Sequence, residues 1–336
     1  MSEPTLAQWR ALYAAAVAFR DRAPWRWFRD TDLFAVEHPS LDMTGYSTVM
    51  GMGGQEFGQA VFLGAAGYAA YRRLMLEEVE PESLEALSEL SSLSATFGDR
   101  ELLDRRDHEV VRSLGLRFRG RGAWPWFRSM RPGYAPWYLE ANEAFFLTEA
   151  LTQAVAVAER VASGALTLGN GLAGEPILTR GFRDGSWHDE WRPAPAPPGP
   201  SQDEATTVDE MRLQRLRAAK SPPRGTWLLD IFPMPTPVGA RGERPRLPVM
   251  LLAITVDGLV LGADVLEPSA GPAERQQAIV KLLEQAPALP RAIRVGRDTV
   301  ERLIAPLARP LGIRVQHGDM APLHAAQESL FNYLGR

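Results

Sequence analysis

The sequence predicts two mixed units. The first is an α+β unit over residues 1–192, a short antiparallel sheet plus helices. The second is an α/β unit over 224–336 with the order β-β-β-α-β-α-β-α. Three observations predict this. The run WRPAPAPPGPSQDEATT at 191–207 is too rich in proline to continue a helix or a central strand. Before it, short strand-like runs give way to helical periodicity. After it, two apolar runs joined by Asp257-Gly258 precede a regular alternation of helical and extended segments. A length of 336 residues suits about two domains.

In the first unit, LAQWRALYAAAVAF reads as a helix because Leu6, Trp9, Tyr13 and Val17 recur at helical spacing, and Pro24 ends it. DLFAVEHP, GYSTVMGM and FGQAVFLG read as three strands between turn residues. AAGYAAYRRLMLEEV and PESLEALSEL read as helices, the second with Pro81 in its first turn. DRELLDRRDHEVVRSL is a further helix. RGAWPWFRSMRPGYAPWYLE, residues 121–140, reads as a stiff aromatic loop, followed by the apolar helix YLEANEAFFLTEALTQAVAVAERVA. EPILTRGFRDGSWHDEW closes the unit as a hairpin turning at Asp184-Gly185. Residues 193–223 are the expected linker, ending in the short helix VDEMRLQRLRAAK.

The second unit opens with TWLLDIFPMPTPV, a strand whose prolines favour an edge or an early end. The hairpin PVMLLAITV-DG-LVLGADVL follows. PAERQQAIVKLLEQA, RDTVERLIAPLARP and APLHAAQESLFNYLGR read as helices, the second ended by Pro310. RAIRVG and GIRVQ read as the strands between them.

Composition narrows the function. Apolar content of 45% and charged content of 23% are those of an ordinary globular protein. The absence of cysteine excludes disulfides, thiolate metal sites and cysteine nucleophiles. A formal charge of −4 argues against non-specific coating of nucleic acid. Lys220 and Lys281 are the only lysines among abundant arginine, alanine, glycine and proline, which suggests a GC-rich bacterial genome. The start, MSEPTLAQWR, has no secretory pattern, and LPVMLLAITV is too short to span a bilayer. The expectation is a cytoplasmic protein with no membrane partner.

Three carboxylates stand at notable places. Asp230 lies in the first strand of the second unit, Asp298 follows its fourth, and Glu328 lies in its last helix. Each also has an ordinary reading, Asp298 as a helix cap and Glu328 as a solvated helix position. From Trp227-Leu-Leu-Asp230 through RVGRD298 to Glu328, element order and acid positions resemble the RNase H-like fold of nucleases, integrases and transposases. That resemblance implies two divalent metals, Mg²⁺ or Mn²⁺, held by Asp230, Asp298 and Glu328. Without that chemistry no cofactor is expected. The whole chain also resembles an uncharacterised bacterial two-domain family made of domains of unknown function. FAVEHPSLDMTGYSTVMGMGGQEFGQAVFLGAAGY, LGLRFRGRGAWPWFRSMRPGYAPWYLEANEA, WLLDIF and LPVMLLAITVDGLVLG carry this resemblance, which implies no activity.

The second candidate is the window between Glu109 and Glu140, which holds no acidic residue. Arg119, Arg121, Arg128 and Arg131 alternate there with Trp124, Trp126 and Trp137, and Arg112 and Arg117 precede them. Arginine on phosphate and rings on bases suit single-stranded nucleic acid. The same residues suit dense packing, with arginines laid across aromatic faces.

Other motifs are weaker. Met50 to Gly58 is glycine-rich but reads as a hairpin turn, because it lies between strands and lacks the phosphate-loop lysine. His188-Asp189-Glu190 alternate faces of a strand and cannot share an ion. His317, Asp319 and His324 read as surface residues or as aids to a metal, and His38 and His108 have no evident partner. No nucleophile elbow and no His-Glu-x-x-His motif is present. The functional expectation is a binding or interaction protein with a degenerate RNase H-like unit. A divalent-metal nuclease acting on DNA or RNA is the alternative. The partner is single-stranded nucleic acid or a protein.

Overall fold

The computed structural model describes residues 2–38, 41–76, 78, 83–172, 174–196, 208–220 and 222–334. Pro81 and residues 197–207 of the expected linker lie outside the described residues. Contacts divide the chain into two units, Met1–Pro132 with Pro136–Pro198, and Gly133–Ala135 with Gly199–Arg336.

In the first unit, α1 (Leu6–Arg22) starts at Thr5, whose hydroxyl accepts from the Gln8 N–H while Gln8 caps the Thr5 N–H in return. It stops at Ala23, which takes a left-handed φ of 51° ahead of Pro24. The strands are β1 (Leu33–His38), β2 (Met43–Met50), β3 (Phe57–Leu63), β4 (Ser92–Gly98), β5 (Trp124–Met130), β6 (Ile177–Arg183) and β7 (Ser186–Arg192). They lie in the order β5-β4-β3-β2-β1-β6-β7. Neighbours from β1 to β5 are antiparallel, β6 runs parallel to β1, and β7 returns antiparallel.

The expected short antiparallel sheet is therefore corrected to a mixed sheet of seven strands. The cause is α5 (Ala141–Ala162), which carries the chain from β5 to β6. A helical crossover delivers the next strand in the same direction as the last. The hairpin at Asp184-Gly185 is present, with φ of 51° and 76° at the two turn residues. β4 and β5 were not expected as strands. SLSATFG is short and half polar, and β5 carries Pro125, which the sheet tolerates because β5 is its edge.

Both faces of this sheet are covered. α1 and α5 pack Leu12, Phe19, Phe146 and Leu151 against Phe34, Val36, Val61 and Leu93. On the other face Tyr68 and Tyr71 of α2 (Gly64–Met75) meet Leu33, Ala35, Phe62 and Ile177. This explains why β1 reads as an unbroken apolar run and not an alternating one. α3 (Leu84–Glu89) precedes β4, and α4 (Arg105–Ser113) follows a 3₁₀ turn at Arg100–Leu102.

In the second unit, α6 (Glu210–Ala219) starts at Asp209, whose carboxylate accepts from the Met211 N–H. Then come β8 (Thr226–Pro233), β9 (Val249–Thr255), β10 (Val260–Leu266), α7 (Pro272–Gln285), β11 (Ala292–Val295), α8 (Asp298–Leu311), β12 (Arg314–His317) and α9 (Ala321–Leu334). The sheet order is β10-β9-β8-β11-β12. β8, β9 and β10 are antiparallel, and β11 is parallel to both β8 and β12. α8 contains Pro306 and Pro310 and runs to Leu311, one residue past the expected stop, ending at Gly312 with φ of 70°.

Alternation sorts β8 between two cores. Trp227, Leu229 and Ile231 face α7 and α8, while Leu228 and Phe232 face Leu323 and Phe331 of α9. Asp230 shares the parity of Leu228 and Phe232.

Gly67 of α2 shows how closely helix and sheet approach. A Cβ there would lie 2.6 Å from the Ser91 carbonyl oxygen and 2.8 Å from the Phe62 carbonyl carbon. Both are backbone atoms and cannot turn aside. Gly67→Ala is expected to lower stability by about 1–3 kcal/mol in urea denaturation. Ala66→Ser, at an exposed neighbour, is expected to leave it unchanged. Equal stability of the two variants would show that the approach is looser than described.

Candidate functional site

The Asp230 side chain is only 10% exposed. Arg297, just beyond β11, donates to its Oδ1 at 2.5 Å and also to the Ile231 carbonyl. The Ile231 N–H donates to the same Oδ1 at 2.8 Å, and Gln327 Nε2 approaches Oδ2 at 3.4 Å. Parity puts Asp230 on the α9 side of the sheet, and Gln327 is the α9 residue that reaches it. The next position on a helix is turned by about 100°, and Glu328 is exposed.

Asp298 opens α8 with its side chain 87% exposed. The residue before it, Arg297, is the N-cap and makes no side-chain cap bond. Asp298 turns to His317 at the end of β12, whose Nε2 lies 3.5 Å from Asp298 Oδ1 and 2.7 Å from Glu301 Oε2. Asp298 and Glu301 meet one partner because positions three apart share a helix face. Among the described residues, this trio is the group of three whose ligand-type atoms all lie within 4.8 Å of one another. Asp230 and Glu328 do not join it. The trio offers donors suited to a divalent cation, and Glu301 was not singled out in the sequence.

The basic aromatic window divides into two populations. Arg128, with its side chain 8% exposed, grips Asp107 through both terminal nitrogens at 3.0 and 2.7 Å and reaches Asp104 at 3.1 Å. Its guanidinium also lies 4.6 Å from the Trp126 ring centre and 4.9 Å from that of Tyr138. Arg131 is held by Glu140 at 2.6 Å and by Glu143 at 2.9 Å, contacts that raise its pKa against the opposing effect of burial. Trp126 is half-buried, and Trp137 pairs its backbone with Ser129 and sets its ring against Tyr138. These residues hold β5 in place.

The other population faces solvent. Arg117, Arg119 and Arg121 are exposed, and Arg121 comes no nearer than 3.9 Å to Asp99, its one ion-pair partner among the described residues. Arg112 and Trp124 line a cleft of about 430 Å³ together with Arg100, Arg105 and His108. Val111 and Leu116 complete its wall. The half-buried Trp124 ring makes T-shaped pairs with His108 at 5.8 Å and with Phe118 at 5.6 Å between ring centres. Sequence reasoning missed Arg100 and Arg105 and gave His108 no partner, although positions 105, 108 and 112 follow helical spacing along one face.

The remaining motifs have local roles. Asp30 Oδ1 accepts from the Gly51 and Met52 N–H groups at 3.0 and 3.1 Å, closing the glycine-rich turn between β2 and β3. Asp189 pairs with Arg160 and Arg180, and Glu190 with Arg192 and Arg183. His38 is buried among the rings of Phe145, Phe182 and Trp187.

The chain belongs to the family described as Domain of unknown function (DUF7309), whose family model matches residues 9–180. A second, Domain of unknown function (DUF6930), matches residues 212–331. No curated protein matches the chain. One solved structure it is similar to is the cryo-EM structure of the simian T-cell lymphotropic virus intasome in complex with PP2A regulatory subunit B56 gamma. There 33% of this chain and 37% of that chain are covered at 13% identity, with a TM-score of 0.24. A score that low says nothing about fold or function. No helix among the described residues is long and apolar enough to cross a membrane.

The Arg128 cluster is acid-sensitive in a defined direction. Burial alone would raise the Asp104 carboxyl. The Tyr138 hydroxyl, the N–H groups of Asp107 and Arg106, and the Arg128 charge outweigh it and hold the pKa below 3.8. Tyr138 is pushed up to about 12, by burial and by the same carboxylate. A carboxyl depressed by folding stabilises fully above its unfolded value and loses that contribution as pH falls through the folded one. Asp104→Asn is expected to destabilise the protein at neutral pH and to flatten the loss of stability below 3.8. Urea denaturation across a pH series checks this, and an equally steep acid limb in the variant contradicts it.

Proposed function

We propose that this chain is a binding protein whose second unit has an RNase H-like arrangement without metal-dependent catalysis. The pair between Arg297 and Asp230 carries the reading. The order β10-β9-β8-β11-β12, with Asp230 on the middle strand, supports the RNase H-like part. Two-metal chemistry would require the Asp230 oxygens to face cations. Here a guanidinium and a backbone N–H meet one oxygen and an amide approaches the other. Asp298 turns to His317, and Glu328 faces solvent. The partner is single-stranded nucleic acid, met by the exposed arginines and Trp124 of the first unit. The cysteine-free sequence supports a cytoplasmic location, and 193–223 is the proposed linker.

Purified protein with Mg²⁺ or Mn²⁺ is expected to leave DNA and RNA oligonucleotides intact. Metal-dependent cutting that Asp230→Ala abolishes would establish the nuclease instead. The pair itself is open to a double-mutant cycle. Arg297→Met leaves a buried carboxylate without its cation and is expected to cost about 3 kcal/mol, most of which Asp230→Leu in the same chain should restore. Additive losses would show that the two side chains do not depend on each other.

A further inference from the structure

We propose that the cleft between the 3₁₀ turn at Arg100–Leu102, α4 and the start of β5 binds a nucleoside phosphate, with phosphate on Arg100 and Arg112 and the base against Trp124. The proposal rests on the binding reading above and names its ligand class. The cleft, about 430 Å³, lies within the range of roughly 300–1,000 Å³ that small ligands occupy.

The charges of Arg100 and Arg112 are left uncompensated by the fold. Asp104 and Asp107 are engaged by Arg128, and Glu109 pairs with Arg105 at 2.9 Å. Among the described residues no carboxylate pairs with Arg100 or Arg112, and Glu101, on the same turn as Arg100, is not paired with it. Both arginines are exposed, so holding a phosphate breaks no internal contact. A guanidinium fork matches phosphate oxygens two at a time.

Trp124 gives the cleft its second chemistry. Its ring is half-buried and held in T-shaped contacts with His108 and Phe118, so a base stacking on it orders little that is new. Cations beside one rigid aromatic wall suit a ligand with both an anionic and a planar part, which inorganic phosphate alone lacks. Arg117 and Arg119, exposed just beyond Leu116, extend the cationic surface and suit the next phosphates of a strand.

The test measures binding of a fluorescently labelled ten-nucleotide oligo(dT) to the full chain in EDTA, and of ATP and AMP both by calorimetric titration and as competitors of the strand. The double variant Arg100→Ala, Arg112→Ala removes two exposed, unpaired side chains and should fold normally, as circular dichroism checks. It is expected to weaken binding at least roughly tenfold and to make the salt dependence shallower by about 1.4 logarithmic units per decade of salt, the share of two phosphate contacts on a single strand. Trp124→Leu is expected to weaken binding without changing the salt slope. Displacement of the strand by ATP or AMP would identify a free nucleotide as the ligand, and failure to displace would identify the strand. Either result upholds the proposal if the double variant loses it. Undetectable binding of both probes, or binding that the double variant leaves unchanged, overturns it. Cleavage of the same oligonucleotide on adding Mg²⁺ would instead overturn the non-catalytic reading and leave this one standing.

Discussion

A guanidinium seated against a nearly buried carboxylate determines what the middle strand of the second unit can do. Asp230 stands where β8 is covered on both faces, and a carboxylate there needs a cation or several donors to remain charged. Arg297 supplies the cation and ties it to the Ile231 carbonyl, so strand β8 and the β11–α8 connection are joined through one side chain. Pairs of this kind are costly to break from one side and contribute little net stability as a pair. In the proposed reading the consequence for chemistry is larger than that for stability, because an acid fixed to arginine is not presented to a metal.

The same logic divides the arginines of the first unit. Arg128 lies in β5 and Arg131 directly after it, where Asp104, Asp107, Glu140 and Glu143 come within reach, and they belong to the fold. Arg100 on the 3₁₀ turn, Arg112 in α4, and Arg117 and Arg119 beyond it are exposed, and among the described residues none of them pairs with those acids. The window between Glu109 and Glu140 thus contains both structural ion pairs and exposed cations, and Arg100 joins the latter from outside it. Proline has a parallel effect. Pro125 lies on an edge strand where its missing N–H costs no ladder bond that the sheet needs.

Much of the architecture was legible in local patterns. The apolar runs WLLDIF and VMLLAIT and the Asp-Gly turns act within a few residues of themselves. What was not legible depends on distant partners. The parallel pairing of Phe34 with Leu178 joins segments more than a hundred positions apart. β4 was hidden because Ser92, Ser94 and Thr96 dilute its apolar residues. The site was legible to a similar degree. Position marked Asp230, Asp298 and Glu328, but which of them meet depends on strand parity and helix rotation. One step along α9 exchanges Glu328 for Gln327. Likewise Trp124 stood out by composition, whereas Arg100 and His108 join it only through the packing of α4.

The claim that Asp230 belongs to Arg297 and not to a metal is tested most directly by calorimetric titration of Mn²⁺ into the unaltered chain and the Asp230→Asn variant. The account predicts that the two isotherms coincide, whether or not Mn²⁺ binds elsewhere on the chain. Binding present in the unaltered chain and lost with the carboxylate would show that Asp230 releases its arginine to take a cation, and would contradict the account.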